Sequence, residues 1–168
     1  MSPTVKTAYM GVFLALALVL SYVETLIPIN FGIPGIKLGL TNILVLIMIY
    51  RFGCKEAFVV SVLRIVLVGF MFGNAFSIIY SLAGGILSWA VMCLLKKLNL
   101  FKIIAVSVFG GITHNLGQII VAAVIVENIN MFYYFPVLMI SGILTGFLIG
   151  IVGGEIIIRT KTLFDKEV

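Results

Sequence analysis

"IIAVSVFGGITHNLGQIIVAAVIV", residues 103–126, is an apolar run without proline, acid or base, and His114, Asn115 and Gln118 interrupt its middle. A bilayer's hydrocarbon layer is about 30 Å thick and takes about 20 apolar helical residues to cross. The run therefore reads as a membrane-crossing helix that carries three polar side chains to depth. At 3.6 residues per turn, Gly111, His114, Asn115, Gln118 and Ala122 fall within one face about 100° wide. That face is expected to line a cavity or to meet another helix.

The rest of the chain has the same character. Of its 168 residues, 62% are hydrophobic and only 10% charged, and its mean hydropathy is +1.30. Such values lie outside the soluble globular range. Apolar runs punctuated by Gly, Pro, Asn and charge predict six helices, at 7–26, 38–50, 56–71, 77–95, 103–126 and 136–158. The fold class is thus all-α integral membrane, with residues 1–168 forming one transmembrane domain. The N-terminal "MSPTVKTAYMGVFLALALVL" has a short basic flank like a signal peptide but no cleavage pattern, and reads as a retained first helix. Segment 27–37, "IPINFGIPGIK", holds two prolines and two glycines, which disfavour helix and make it a candidate lid.

Positive charge in short loops stays on the cytoplasmic side of a membrane. With the N-terminus inside, nine of the eleven Lys and Arg become cytoplasmic: Lys6, Arg51, Lys55, Lys96, Lys97, Lys102, Arg159, Lys161 and Lys166. Lys37 alone falls outside, and Arg64 lies within a helix. Six spans with both termini cytoplasmic follow as the expectation. The formal net charge of +5 is then a topology signal with attraction to anionic lipid, and no nucleic-acid partner is implied. Cys54 and Cys93 fall near cytoplasmic helix ends in a reducing compartment, so neither a disulfide nor a metal site is expected of them.

Depth also sorts the polar residues. Glu24, Lys37, Asn42 and Asn74 belong to the outer side, Arg64 to the middle of the third helix, and Gln118 lies further out than His114. The expected site therefore comprises Glu24, Lys37, Asn42, Arg64, Asn74, His114, Asn115 and Gln118. Other roles stand beside this one. Asn42 and Asn74 suit interhelical hydrogen bonds, worth about 0.6 kcal/mol on average, and Glu24 and Lys37 suit snorkelling to the interface. Arg64 costs about 2.5–3.5 kcal/mol at mid-depth and needs a partner, such as Glu24, or a wet cavity. On the first helix, Thr7, Gly11 and Ala15 recur every four residues, and Ala17 with Ser21 makes a second small pair. Either face suits packing within the bundle or docking of a separate membrane subunit.

Several chemistries lack their residues. The single aspartate, Asp165, lies in the tail, so no acidic cluster is present to hold magnesium against a diphosphate. Nor does the chain contain a phosphate-binding Gly-Lys-Ser/Thr loop, a Cys/His metal constellation or a paired nucleophile and base. No cofactor is expected, and no enzyme activity.

Five strings recur together: "LSYVETLIP" (20–28), "PGIKLGLTNI" (34–43), "SVLRIVLVGFMFGNAFS" (61–77), "YSLAGGILSWAVM" (80–92) and "THNLGQIIVAA" (113–123). Over nearly the whole chain they resemble the bacterial membrane family labelled heptaprenyl diphosphate synthase component I, also called the Gx transporter family. That family is similar in turn to the substrate-binding S components of energy-coupling factor (ECF) transporters. The resemblance implies six helices, a pocket open to the exterior, and a small-residue face on helix one that docks a coupling subunit.

On this reading the chain captures a small, amphipathic, anionic vitamin, quinone precursor or isoprenoid precursor at the bacterial cell membrane. Lys37 and Arg64 attract the anion, His114, Asn115 and Gln118 orient its polar edges, and segment 27–37 closes over it. A membrane coupling protein meets Gly11 and Ala15, and two ATPases supply energy. Family members are also similar to proteins that accompany flavin-dependent extracellular electron transfer. A second expectation is therefore a membrane subunit that binds a quinone or prenyl lipid without moving it.

Overall fold

The computed structural model describes residues 2–26, 39 and 41–160. Segment 27–37, with Lys37, lies outside the described residues, as do Lys161, Asp165 and Lys166. The six expected helices are α1 (Pro3–Leu26), α2 (Asn42–Arg51), α3 (Cys54–Phe72), α4 (Ala75–Leu98), α5 (Ile103–Ile125) and α6 (Phe135–Arg159). A 3-10 helix at Ile129–Tyr134, which the apolar pattern does not announce, leads into α6. No strand occurs among the described residues.

The helix boundaries have local causes. α2 passes to α3 through Phe52 and Gly53, and Gly53 adopts φ +115°, a conformation that strains any residue with a Cβ. α4 opens on a reciprocal cap: the Asn74 side chain accepts from the Ser77 N–H at 2.8 Å, and the Ser77 hydroxyl accepts from the Asn74 N–H at 2.9 Å. It closes at Asn99, a residue type that tolerates the left-handed φ of +55° found there. Pro136 lies in the first turn of α6, where its missing N–H costs nothing.

Four stretches are long and apolar enough to cross a membrane: Pro3–Glu24, Ala75–Leu98, Ile103–Ile125 and Ile129–Arg159. The protein is a membrane-embedded helical bundle, and its large exposed side chains, such as Val12, Leu16, Ile140 and Leu144, are suited to lipid. α2 begins four residues later than the pattern suggested. Its ten residues rise about 15 Å, half of a bilayer's hydrocarbon layer. It is instead the centre of the core, with Leu44 to Ile49 all buried against α3 and α6. Every face of α2 is apolar, as a helix surrounded by others requires.

α5 is gripped from both sides. A Cβ on Gly111 would collide with the Gly142 carbonyl oxygen of α6, and one on Gly117 would lie 2.7 Å from the Ala83 carbonyl oxygen of α4. Gly146 and Gly150 continue the α6 seam against the Val108 and Ile104 backbones. In lipid, where no hydrophobic force draws helices together, such close backbone approach supplies the dispersion that holds them. The close seams on both sides thereby fix how α5 is rotated in the bundle.

The structure corrects the reading of the cysteines. Cys54 opens α3 and Cys93 lies in the last third of α4; the pair is bridged by a disulfide, with Cα atoms 6.0 Å apart. A compartment's redox state bears on whether a thiol pair oxidises and not on which two side chains the fold brings together. Beside the bridge, the Trp89 indole N–H donates to the Cys54 carbonyl at 2.8 Å, a second tie between α3 and α4.

Candidate functional site

A cavity of about 320 Å³ lies among the last turns of α1, the start of α2, the second half of α3, the start of α4 and the second half of α5. That is the end of the bundle away from Lys6, Arg51, Lys55, Lys96 and Lys102. Ligand pockets span roughly 300–1,000 Å³, so the cavity has room for a small molecule and not for a large one.

Six of the eight expected site residues line it: Glu24, Asn42, Arg64, Asn74, His114 and Gln118. They come from five helix segments that are remote in sequence. Arg64 donates from Nη1 to the Thr41 hydroxyl at 2.6 Å, which ties α3 to the residue before α2. Its Nε is buried and has no hydrogen-bond partner among the described residues. Leaving a buried donor unmet costs about 1–3 kcal/mol, more for a charged group.

Glu24 is a candidate ion partner of Arg64 by sequence. The two ion pairs found among the described residues are instead Lys6 with Glu56 and Arg159 with Glu155. Glu24 turns one carboxylate oxygen to the backbone N–H of Gly39. The cavity thus carries an arginine and a carboxylate on its walls without a direct bridge between them. Asn74 contributes differently from the others, since its amide oxygen is committed to the α4 cap.

Asn115 is not in the cavity wall. Its Nδ2 donates to the Leu138 carbonyl of α6 at 2.7 Å. The reason is angular: the 100° face holds two functions side by side. Along α5, Asn115 lies about 100° around the helix from His114 and about 60° from Gln118. Gly111 and Asn115 take the side that meets α6, while His114 and Gln118 take the side that meets the cavity. Small Gly111 accordingly serves helix packing and leaves no room for a ligand.

Hydroxyls complete the wall at Ser21, Thr41, Ser77 and Ser81, and Val68 and Phe72 supply apolar surface. Sequence pattern missed the hydroxyls because Ser and Thr inside membrane helices usually bond a carbonyl one turn back and carry no polar signal. Thr113 and Thr145 behave in that way here. Ser21, a small position on α1, is buried beside the cavity, and its Oγ has no hydrogen-bond partner among the described residues.

The two small-residue faces of α1 separate cleanly. Ala17 and Ser21 are buried in the bundle at 2% and 4% exposure, while Thr7, Gly11 and Ala15 are exposed on the far side. A Cβ on Gly11 would meet nothing within 4 Å.

The family model for heptaprenyl diphosphate synthase component I matches residues 13–156. The chain belongs to that family. No curated protein and no solved structure matches it. The match takes in all six cavity residues discussed above together with Asn115, so the whole described cavity lies within the family region. The family's name is a component label. Among the described residues no group of three His, Cys, Asp or Glu is placed to hold a metal ion.

Proposed function

We propose that this component I family member is the substrate-binding membrane subunit of an uptake transporter of the ECF kind. Its ligand is a small amphipathic molecule with an anionic group: a vitamin, or a precursor of a quinone or an isoprenoid. The observation that carries the reading is the Arg64 guanidinium. It is held by Thr41 on one nitrogen, unmet on Nε among the described residues, and set in a small cavity within a membrane bundle.

An anion that enters the cavity pairs with the fixed guanidinium charge. His114, Gln118 and Asn42 orient polar edges, while Val68 and Phe72 cover an apolar part. Glu24, on the opposite charge, favours a ligand that also carries a donor. With both termini cytoplasmic, the orientation this proposal takes from the charge distribution, the cavity opens on the outer side, as uptake requires. The exposed Gly11 and Ala15 face suits close approach of a coupling subunit. ATPases in that assembly would drive the change of state that releases the ligand.

The test is thermal stabilisation of the purified chain by candidate ligands, repeated with Arg64→Ala and His114→Ala. Loss of stabilisation in both variants supports the site, and undiminished binding in both removes it. Co-purification decides the assembly. Recovery of a coupling subunit and ATPases supports uptake; recovery of a flavoprotein or quinone enzyme in their place supports a binding subunit that does not transport.

A further inference from the structure

A second hollow, a groove of about 760 Å³, lies at the basic end of the bundle, bounded by the ends of α2 and α4, the start of α5 and the end of α6. Its walls are apolar and outward-facing, with Phe101, Ile104, Ile151 and Ile158 all at least a third exposed. Gly154 leaves its floor low, since a Cβ there would meet only Ile103 Cγ2, at 3.7 Å. Two cations, Lys96 and Lys102, stand in its wall. Lys96 donates to the Ile49 carbonyl and sits 5.1 Å from the Tyr50 ring centroid. Lys102 forms no hydrogen bond or ion pair among the described residues and precedes the first turn of α5, which has no side-chain cap. The groove's one acid, Glu155, is already paired with Arg159 at 2.5 Å.

We propose that this groove binds an anionic phospholipid, its phosphate at Lys102 and Lys96 and one acyl chain along Phe101, Ile104, Ile151 and Ile158. The groove joins a basic wall, complementary to an anionic headgroup, to an apolar trough in a membrane-embedded chain. Basic pockets between membrane helices recruit anionic headgroups, and each lysine near the surface adds to the attraction. Free phosphate would use the cations but not the trough, and a zwitterionic lipid would use the trough but gain little from the cations. The proposal is independent of what the cavity at the other end holds.

The experiment is native mass spectrometry of the purified chain with phosphatidylglycerol or phosphatidylcholine added in equal amounts. Retention of phosphatidylglycerol over phosphatidylcholine is expected. Lys102→Gln should weaken phosphatidylglycerol binding about fivefold. Lys97→Gln removes the same charge from outside the groove and should leave it unchanged. Gly154→Leu fills the trough, keeps every cation, and should also weaken it. Equal retention of the two lipids overturns the proposal. So does undiminished phosphatidylglycerol binding in both Lys102→Gln and Gly154→Leu, or displacement of the lipid by inorganic phosphate.

Discussion

Arg64 and Thr41, both in the cavity wall, are joined by a 2.6 Å hydrogen bond, so the guanidinium is positioned before any ligand arrives. Preorganisation of this kind lowers the cost of binding. Thr41→Val removes the tether while keeping the side chain's shape. Ligand affinity should fall about fivefold, since a loosened guanidinium must be ordered on binding at a cost of about 0.5–1.5 kcal/mol. Arg64→Lys should fare worse than Thr41→Val, because an ammonium cannot reach Thr41 and a ligand together in the same fork. Calorimetric titration of the three proteins with one ligand ranks them.

Asn115 and Gln118 offer a separation of roles along one helix. Asn115→Leu loses the bond to the Leu138 carbonyl and should lower stability by about 0.6 kcal/mol, and by no more than about 1.7. Ligand affinity should change little. Gln118→Leu removes a polar group from the cavity wall and should cost binding while leaving the thermal midpoint of the unliganded protein near that of the parent. Midpoints measured with and without ligand separate the two effects.

The glycines make a sharper contrast. Gly142→Ala drives a Cβ onto the Gly111 carbonyl oxygen, 2.8 Å away, where backbone and not a flexible side chain must yield. A loss of about 1–3 kcal/mol is expected, as for other overpacked sites. Gly11→Ala meets open space and should leave the isolated chain unaffected. A bulky Gly11→Leu should spare folding too, yet reduce recovery of a coupling subunit in co-purification.

Asn74 lines the cavity and caps α4, and two substitutions distinguish these roles. Asn74→Ala loses the cap and should destabilise the protein by about 1 kcal/mol. Asn74→Ser keeps a capping oxygen and should retain stability. Equal ligand affinity in parent and Asn74→Ser assigns Asn74 to the cap alone.

Much of this arrangement was legible in the residues themselves. Membrane helices announce their ends through Gly, Pro, Asn and charge, and so α5 and α6 were located to within about one residue. Arg64, His114 and Gln118 stood out because polar groups in hydrocarbon are costly and need a purpose. The inner order of the bundle was not legible. Which part of the α5 face meets α6 depends on where Gly142 presents its backbone, and that is a property of two helices together. The Cys54–Cys93 pairing is likewise a matter of how α3 returns along α4. Ser21, Thr41, Ser77 and Ser81 escaped because a hydroxyl satisfied by its own helix looks the same in sequence as one that faces a cavity.

The most direct measurement is native mass spectrometry of the protein as it comes from its membrane, in parallel with Arg64→Gln. A small anionic adduct on the parent that is absent from the Arg64→Gln variant, with both proteins folded, is the predicted result. An adduct retained undiminished by Arg64→Gln would contradict the account.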